Sequence, residues 1–425
     1  MAIKGNPLKL ATCFLFLIWL ITACSFGGVA IEEESESTIA RVLTSENVTL
    51  ITKVLPLGEV VYAIAADFST EVDTSNVSSS SFEVEVIVGE DIETRTITNV
   101  YTNDIKEASD SSNPGRFVII ELDPSDPNAG TLTFEEITFL HKRDQLKYSL
   151  IQKEDIKTID GTVFLASIEK IQHSTEVTPI VDEFGEFTYQ DDAGNELSYR
   201  LFEPTVKSDE TYPLILFLHG SGERGSDNAL QLLGNESALV WARPEQQAKH
   251  PAYVLAPQAP PTEVLTFYWT EEPNYSLVIE LLAKTIENYP IDTDRIYVTG
   301  ISNGGVGTWH FIINNPDLFA AAVPICGIPI VTKYTISESY TPLEEASFFE
   351  GIKDMPIWVF HAADDYLVDV NYSRDAVATI KSLGGKSINY TEYREGEVKP
   401  VGHFAWIPAY QNQEMIDWLF QNQKK

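Results

Sequence analysis

The sequence predicts a doubly wound α/β domain preceded by an all-β sandwich, and three observations support this fold class. From about Asn47 to Glu169, apolar residues alternate with polar ones, as in strands that bury one face. After Pro179, continuous apolar runs alternate with helical stretches, which is typical of parallel strands covered on both faces. The length of 425 residues also leaves room for two or three domains.

The alternation in the N-terminal half is clearest at residues 82–88, where Phe82, Val84 and Val86 would line one strand face. Turn-rich stretches separate further runs of this kind, at residues 60–64, 96–101, 117–122 and 162–165. Several short strands at such spacing predict an antiparallel sandwich. The acidic turn 123–130 could also be interpreted as a calcium loop, although Asp and Asn beside Pro and Gly are ordinary turn residues.

The C-terminal half begins with a predicted hairpin, residues 186–189 and 197–202. A helix is predicted at residues 276–289, because Val278, Leu281 and Leu282 fall on one helical face. The predicted buried strands are residues 214–218, 253–256, 296–299, 320–323 and 357–360.

The N-terminus has the pattern of an export signal. Lys4 and Lys9 precede an apolar run that ends at Ala23 and is too short to span a membrane. The Ala23-Cys24 junction is similar to a bacterial lipoprotein signal, in which the new N-terminal cysteine is acylated; an ordinary signal peptide is the alternative. The predicted organisation is a signal peptide (1–23), an acidic tether (24–45), a sandwich domain (46–178) and an α/β domain (179–425).

Charge and cysteine content restrict the function. The 63 acidic residues against 29 Lys and Arg give a net charge of -34, which repels phosphate backbones and anionic lipids, so we expect neither nucleic-acid binding nor electrostatic membrane docking. Membrane contact would then be only through lipid on Cys24. Cys326, the one cysteine of the body of the chain, is predicted to be a packed small apolar residue. We expect no cofactor and no metal, because ligand spacings such as H-E-x-x-H or C-x-x-C do not occur.

The most informative motif is Gly300-Ile301-Ser302-Asn303-Gly304, which lies between a predicted strand and a helical segment. A nucleophilic serine in such an elbow adopts a strained conformation, and glycines two positions away avoid clashes in the tight turn. The motif alone occurs often by chance, but here it has the structural context that it requires. It predicts Ser302 as a nucleophile.

A serine nucleophile needs a base and an acid that orients the base. In proteins with this elbow, the three residues follow one another along the chain in the order serine, acid, histidine. His361 ends a predicted strand, whereas His403 follows an acid-bearing loop, so His403 is the predicted base. Asp365 is the preferred acid, with Asp364 as the main rival and Glu395 and Glu397 as weaker ones.

Oxyanion stabilisation requires backbone N-H donors at the same sheet edge. The glycine-rich turn 219–225 follows a predicted strand and could present one donor, while the N-H of Asn303 should be the second. Glu223 and Arg224 are predicted to form an ion pair that shapes the turn. Trp309, Trp406 and Trp269 could border a substrate pocket, although aromatic residues in such positions are more often core.

Four motifs together resemble the secreted bacterial serine esterases of the α/β-hydrolase fold that are related to feruloyl and acetylxylan esterases. They are residues 218–225, 300–309, 360–365 and 402–406, and the N-terminal half resembles the immunoglobulin-like domain of some members. The resemblance implies Ser302, Asp365 and His403 as the triad, with Asp365 four positions after His361, and Ser221 and Asn303 as backbone oxyanion donors. Two departures are Ala362, where glycine is usual, and Asn303, where methionine is frequent.

These features predict a carboxylesterase that acts on short-chain or polymer-linked esters through an acyl-enzyme. A serine peptidase with the same triad is one alternative, and a surface binding lipoprotein with an inactive hydrolase fold is another. The segment between Gly327 and Met355 could overhang the site but is too short for a full lid domain, so we expect an open cleft.

Overall fold

The structure is a computed structural model, and it describes residues 39–205, 207–262, 266–329 and 346–424. The predicted signal peptide, Cys24 and the tether up to residue 38 lie outside the described residues, as do residues 330–345 of the segment expected to overhang the site. Within the described part of the chain, no helix is long and apolar enough to cross a membrane.

The N-terminal half consists of short strands. They are β1 (Ala40–Arg41), β2 (Val48–Leu55), β3 (Gly58–Asp67), β4 (Phe82–Val88), β5 (Asp91–Thr94), β6 (Ile97–Asn103), β7 (Phe117–Leu122), β8 (Leu132–Glu135), β9 (Leu140–Arg143), β10 (Tyr148–Gln152), β11 (Ile156–Lys157), β12 (Val163–Phe164), β13 (Ile171–Gln172) and β14 (Thr175–Val177).

These strands form a sandwich, as predicted. One sheet has the order β14-β2-β3-β7-β6 and the other β13-β10-β4-β5, with mostly antiparallel pairing. Side chains from both sheets meet in one apolar core, and the alternation of β4 is confirmed because Phe82, Val84 and Val86 are all buried. Strands β8 and β9 form a separate two-stranded hairpin, and its position bears on the functional site.

The sandwich begins earlier than the boundary predicted at residue 46. Strand β1 pairs in parallel with β12, through Ala40 opposite Val163 and Arg41 opposite Phe164. Leu43 is buried in the core of the sandwich. The strand β1 and Leu43 therefore take part in the sandwich, although Leu43 is the one residue of 40–43 whose side chain is buried.

The C-terminal half alternates strands with helices. Its strands are β15 (Phe184–Gln190), β16 (Glu196–Phe202), β17 (Tyr212–Leu218), β18 (Tyr253–Gln258), β19 (Ile291–Ile301), β20 (Ala321–Ile325), β21 (Ile357–Ala362) and β22 (Ile388–Tyr393). Its helices are α1 (Leu230–Leu233), α2 (Pro244–Lys249), α3 (Asn274–Asn288), α4 (Asn303–Asn314), α5 (Asn371–Ser382), α6 (Trp406–Tyr410) and α7 (Gln413–Gln421).

The eight strands of this half form one sheet in the order β15-β16-β18-β17-β19-β20-β21-β22. The strands from β18 to β22 in this order are parallel, and β15 and β16 form the antiparallel hairpin that the sequence predicts. An apolar core covers each face. The continuous apolar runs are explained by this double coverage, and the parallel strands bring the loops after β17, β19 and β21 to one edge.

Candidate active site

Ser302 lies between β19 and α4, in the elbow that the sequence predicts. Its backbone has φ 51° and ψ -115°, a conformation that L-residues rarely adopt. The Ser302 N-H donates to the Ile325 carbonyl at 3.0 Å, which fixes the elbow to the end of β20. The hydroxyl is therefore presented at the carboxyl edge of the sheet, directly before the N-terminus of α4.

The glycines of the elbow are required by close backbone contacts. A Cβ atom on Gly304 would lie 1.9 Å from the Leu218 carbonyl oxygen, and one on Gly300 would lie 2.4 Å from the carbonyl oxygen of Gly304. Neither contact is possible without a backbone shift. The spacing of the motif is therefore a packing requirement between β17, β19 and α4.

We expect Gly304→Ala to destabilise the fold by about 1–3 kcal/mol or more, because α4 must move away from β17. Urea unfolding measures the change. Gly130→Ala is the matched control, since no atom lies within 4 Å of the added Cβ. Equal stability of the two variants would contradict the packing argument.

His403 connects the elbow to an acid. Its Nε2 lies 3.0 Å from the Ser302 Oγ, and its Nδ1 lies 2.8 Å from Oδ2 and 3.0 Å from Oδ1 of Asp365. Since a carboxylate only accepts, the Nδ1 carries the proton, and Nε2 can then accept the proton of the serine hydroxyl. The structure thus brings together the three residues that the sequence selects.

Asp365 lies in a turn that stabilises its charge. The backbone N-H groups of Leu367 and Val368 each donate to its Oδ1 at 2.9 Å, and His361 donates to its Oδ2 at 3.1 Å. Burial works against ionisation, but hydrogen bonds from His361 and His403 outweigh it and hold the pKa of Asp365 far below its usual range. Asp365 is therefore ionised at neutral pH, beside His403.

Asp364 points elsewhere. Its Oδ2 accepts from the Gly396 N-H at 2.8 Å, and Gly402 packs against its backbone and side chain. Asp364 therefore joins two loops and, in the described geometry, does not reach His403. The side chains of the two neighbouring acids thus leave the turn in different directions, and Asp365 is the one whose carboxylate is hydrogen-bonded to His403.

The glycine-rich turn after β17 lies against the elbow. The carbonyl groups of this turn are held by hydrogen bonds from two buried aromatic side chains. The Tyr268 hydroxyl donates to the Gly220 carbonyl at 2.7 Å, and Trp269 Nε1 donates to the His219 carbonyl at 3.0 Å. Ser221 begins a short 3-10 helix and Asn303 begins α4, positions at which backbone N-H groups lack partners within the helix. Both groups are thus suited to the donor role predicted for them.

His219, buried beneath this turn, is neutral. Its Nδ1 donates to the Gly220 carbonyl at 2.6 Å, and its Nε2 accepts from the Ala259 N-H at 3.0 Å. Burial lowers its pKa to about 3. The histidine therefore acts as an uncharged link between the turn and the loop after β18.

The side chain of Asn303 connects the elbow to its surroundings. Its Nδ2 donates to the Ser221 hydroxyl at 3.3 Å and to the Thr266 carbonyl at 2.7 Å. A methionine could not make these bonds. The departure from the usual residue at this position therefore adds a polar connection between the two loops that carry the expected oxyanion donors.

Glu223 and Arg224 do not form the ion pair that the sequence suggests. Glu223 accepts from Asn235 Nδ2 at 2.9 Å, and burial raises its pKa. Arg224 instead donates from Nε to the Ser221 carbonyl at 2.9 Å and from Nη2 to the Thr138 carbonyl at 2.7 Å. The expected pair does not form because each side chain is buried against a different segment.

Thr138 belongs to the tip of the β8–β9 hairpin, so the N-terminal sandwich contacts the glycine-rich turn directly. The His141 ring of the same hairpin packs against Gly222, where an added Cβ would lie 2.5 Å from Cδ2 of the ring. Phe134 is 48% exposed and Ile137 is 90% exposed, which leaves apolar side chains available beside the turn. The sequence carries no local signal of this contact, because it joins residues 86 positions apart.

We expect Arg224→Ala to reduce esterase turnover about 10- to 100-fold, since the Ser221 and Thr138 carbonyls would lose a charged donor. Steady-state kinetics on a soluble nitrophenyl ester measures the effect. Arg116→Ala, which removes a partly exposed ion pair with Asp67 in the sandwich, is the control and should retain turnover. Equal turnover of the Arg224→Ala and Arg116→Ala variants would contradict the role of Arg224 in supporting the turn.

The two tryptophans predicted to border substrate differ in position. Trp309 is fully buried and packs edge-on against Phe349, with ring centroids 6.1 Å apart, so the expectation that it touches substrate is corrected: its face of α4 packs into the core. Trp269 is also fully buried. Trp406 is half-buried, and its ring stands perpendicular to that of His403 at 5.5 Å. Of these residues, Trp406 is the one placed beside the triad.

Cys326 is buried, as predicted, and its thiol lies close to the triad. Ligand atoms of Cys326, Asp365 and His403 lie within 4.8 Å of one another, a separation that a metal ion could bridge. However, both ring nitrogens of His403 have partners, and burial raises the pKa of the thiol well above its ordinary value. The arrangement therefore fits a hydrogen-bonded triad better than a metal site.

A strained serine at a strand-to-helix elbow, hydrogen-bonded to a histidine and a buried aspartate, defines the chain as an α/β hydrolase of the serine hydrolase class. Comparison with known proteins agrees with this class. Residues 47–165 match the Esterase Ig-like N-terminal domain, and residues 269–397 match the prolyl oligopeptidase family.

Among solved structures, a thermostable esterase is similar over almost the whole chain. It shares 41% sequence identity with a TM-score of 0.81, and the match covers 89% of this chain and 100% of that esterase. The chain therefore belongs to the family of esterases that join an immunoglobulin-like domain to an α/β-hydrolase domain, serine hydrolases that act on esters.

Two curated relatives match shorter regions. Poly(3-hydroxyalkanoate) depolymerase C of Paucimonas lemoignei is 27% identical over 133 residues, which cover 30% of this chain and 31% of the depolymerase. An uncharacterised secreted protein of Arthroderma benhamiae is 31% identical over 118 residues, which cover 23% of this chain and 12% of that protein. The chain thus spans less than a third of the length of either relative.

Proposed function

We propose that this protein is a carboxylesterase in which Ser302 attacks the ester carbonyl, His403 transfers the proton and Asp365 orients His403. The observation that carries the proposal is the continuous hydrogen-bonded series from the Ser302 hydroxyl through His403 to Asp365. His403 would accept the serine proton and return it to the departing alcohol. Water, activated by the same histidine, would then release the acyl group from Ser302.

The tetrahedral intermediate carries an oxyanion, and we propose that the backbone N-H groups of Ser221 and Asn303 stabilise it. Both residues begin helical segments that lie side by side, and the Asn303 side chain fixes their separation through the Ser221 hydroxyl. Such donors are in place before the reaction and need no reorganisation during it. Trp406, beside His403, would border the bound ester.

The proposed substrates are short-chain esters or esters attached to a polymer. The apolar tip of the β8–β9 hairpin lies beside the glycine-rich turn, with Ile137 and Phe134 exposed to solvent. Exposed apolar side chains on a hairpin that contacts the glycine-rich turn suit an extended substrate that passes over the surface. The similarity of a 133-residue stretch to a polyester depolymerase is consistent with a polymer-linked ester.

A panel of substrates tests the proposal. Short-chain nitrophenyl esters, acetylated and feruloylated polysaccharides and poly(3-hydroxyalkanoate) would be compared with peptide anilides. We expect turnover of at least one ester class and much slower cleavage of anilides, because amide cleavage demands efficient protonation of a poorer leaving group. The match of residues 269–397 to the prolyl oligopeptidase family makes a peptidase the second candidate, and preferential anilide cleavage would establish it.

We also propose that the protein is exported and carries lipid on Cys24. This proposal is supported by the charged and apolar pattern before Ala23-Cys24. Expression in a bacterium that is fed a labelled fatty acid should label the wild type, whereas Cys24→Ala should remain unlabelled. Equal labelling of both proteins would exclude Cys24 as the site of acylation.

A further inference from the structure

His361 is a buried histidine that the triad does not include. It lies near the end of β21, and its side chain has no exposed surface. The sequence favours His403 over His361 as the base, because His361 ends a predicted strand. Nevertheless, its ring touches the acid of the triad, four residues further along the chain.

The position of one proton on His361 follows from its partners. Its Nε2 lies 3.0 Å from the Val368 carbonyl oxygen and 3.1 Å from Oδ2 of Asp365. Neither a carbonyl nor a carboxylate can donate a hydrogen bond, so Nε2 must carry the proton and share it between both acceptors. His361 is therefore a donor to Asp365 in every protonation state compatible with this geometry.

The opposite side of the ring is held by α5. The Nδ1 of His361 lies 2.7 Å from the Ser373 hydroxyl, and Ser373 is itself fully buried. With both ring nitrogens bonded, the imidazole cannot rotate without breaking three contacts. The series of bonds thus extends from α5 through the ring to Asp365, and from there to His403 and Ser302.

We propose that His361 is a positioning residue, which aims the Asp365 carboxylate at His403 and shares its negative charge. This inference rests on the proposed triad. Asp365 Oδ2 receives two imidazole donors, one from the base at 2.8 Å and one from His361 at 3.1 Å. The second donor restrains the carboxylate and weakens its attraction for a proton on His403.

Other charged groups near these residues are engaged with different partners. Glu392, on the adjacent strand β22, is bound by Arg374 at 2.6 Å and 2.9 Å. Cys326 faces the site as a buried thiol whose pKa is raised. Because neither group donates to Asp365, removal of His361 should be felt mainly by the carboxylate and His403.

The test is the rate at which a fluorophosphonate labels Ser302, measured as a function of pH. His361→Leu removes the donor, whereas His361→Gln keeps an N-H group near the position of Nε2. We expect the Leu variant to be labelled about 10- to 100-fold more slowly than the wild type. The Gln variant should recover most of this loss.

The pH dependence separates positioning from simple packing. Without the His361 donor, more of the carboxylate charge acts on His403, so its protonated form is favoured and a higher pH is needed to free the base. The acid limb of the labelling profile should therefore move upward by about half a pH unit or more in the Leu variant. The proposal would be overturned if the Leu variant kept the labelling rate and the acid limb of the wild type. It would also be overturned if the Gln variant were labelled as slowly as the Leu variant.

Ser373→Ala keeps the proposal testable if the Leu variant does not fold. This substitution removes the hydroxyl that is hydrogen-bonded to Nδ1 of His361. We expect slower labelling and an upward shift of the acid limb, both smaller than in the Leu variant. A labelling rate and an acid limb equal to those of the wild type would contradict the proposal. Failure of the underlying triad is distinguishable, since the wild type would then not be labelled at Ser302 at all. If the wild type were labelled at Ser302 and the variants were labelled equally fast, the positioning role of His361 would be rejected and the triad retained.

Discussion

Replacing Ser302 with alanine should reduce ester turnover by a factor on the order of 10⁴ or more, because the nucleophile is lost while the rest of the site is retained. Folding should change little, since alanine meets the same strain at φ 51° as serine does. Steady-state kinetics and thermal unfolding would measure the two effects.

Ser221→Ala is the matched control for this experiment. Ser221 is the other serine of the site, but its proposed contribution is a backbone N-H, and its hydroxyl accepts a 3.3 Å bond from Asn303. We expect turnover to stay within about 10-fold of the wild type. If Ser302→Ala remained active, or if Ser221→Ala were the more impaired, the assigned nucleophile would be wrong.

Asp365→Asn should have an effect nearly as large, on the order of 10³- to 10⁴-fold in kcat, by analogy with the loss of the triad aspartate in other serine hydrolases. An amide can donate where the carboxylate only accepts, so His403 would be held in the wrong tautomer. Circular dichroism and kcat would show whether the loss is catalytic rather than structural.

The neighbouring Asp364 supplies the control. Its Oδ2 accepts from the Gly396 N-H and makes no described bond to His403, so Asp364→Asn should lower the unfolding temperature slightly while kcat stays within a few fold of the wild type. A larger loss of kcat in Asp364→Asn than in Asp365→Asn would transfer the role of the acid to Asp364.

Much of the fold was predictable because its local signals agree with its packing. The buried parallel strands were recognisable as continuous apolar runs, and the predicted helix at 276–289 corresponds to α3 (Asn274–Asn288). The elbow was predictable for a related reason: its glycines satisfy contacts between consecutive elements, so that the spacing in the sequence carries the geometry.

The residues of the site could be predicted where their order along the chain identifies them. They could not be predicted where the choice depends on the direction in which a side chain points. Order separates His403 from His361, but nothing in the sequence shows that Asp365 and Asp364 diverge from one turn. Trp309 was misassigned because closeness to the elbow in sequence does not reveal which helix face meets the core. The partners of Arg224 were equally hidden, since Thr138 lies in another domain.

The contact between Arg224 and the Thr138 carbonyl also restricts how this chain can change during evolution or by design. The tip of the hairpin spans only residues 136–139, so a single inserted residue would displace the carbonyl from the guanidinium. Loop length in one domain is therefore coupled to side-chain choice in the other. We expect chimaeras that exchange either domain between relatives to function only when the hairpin and the glycine-rich turn are transferred together.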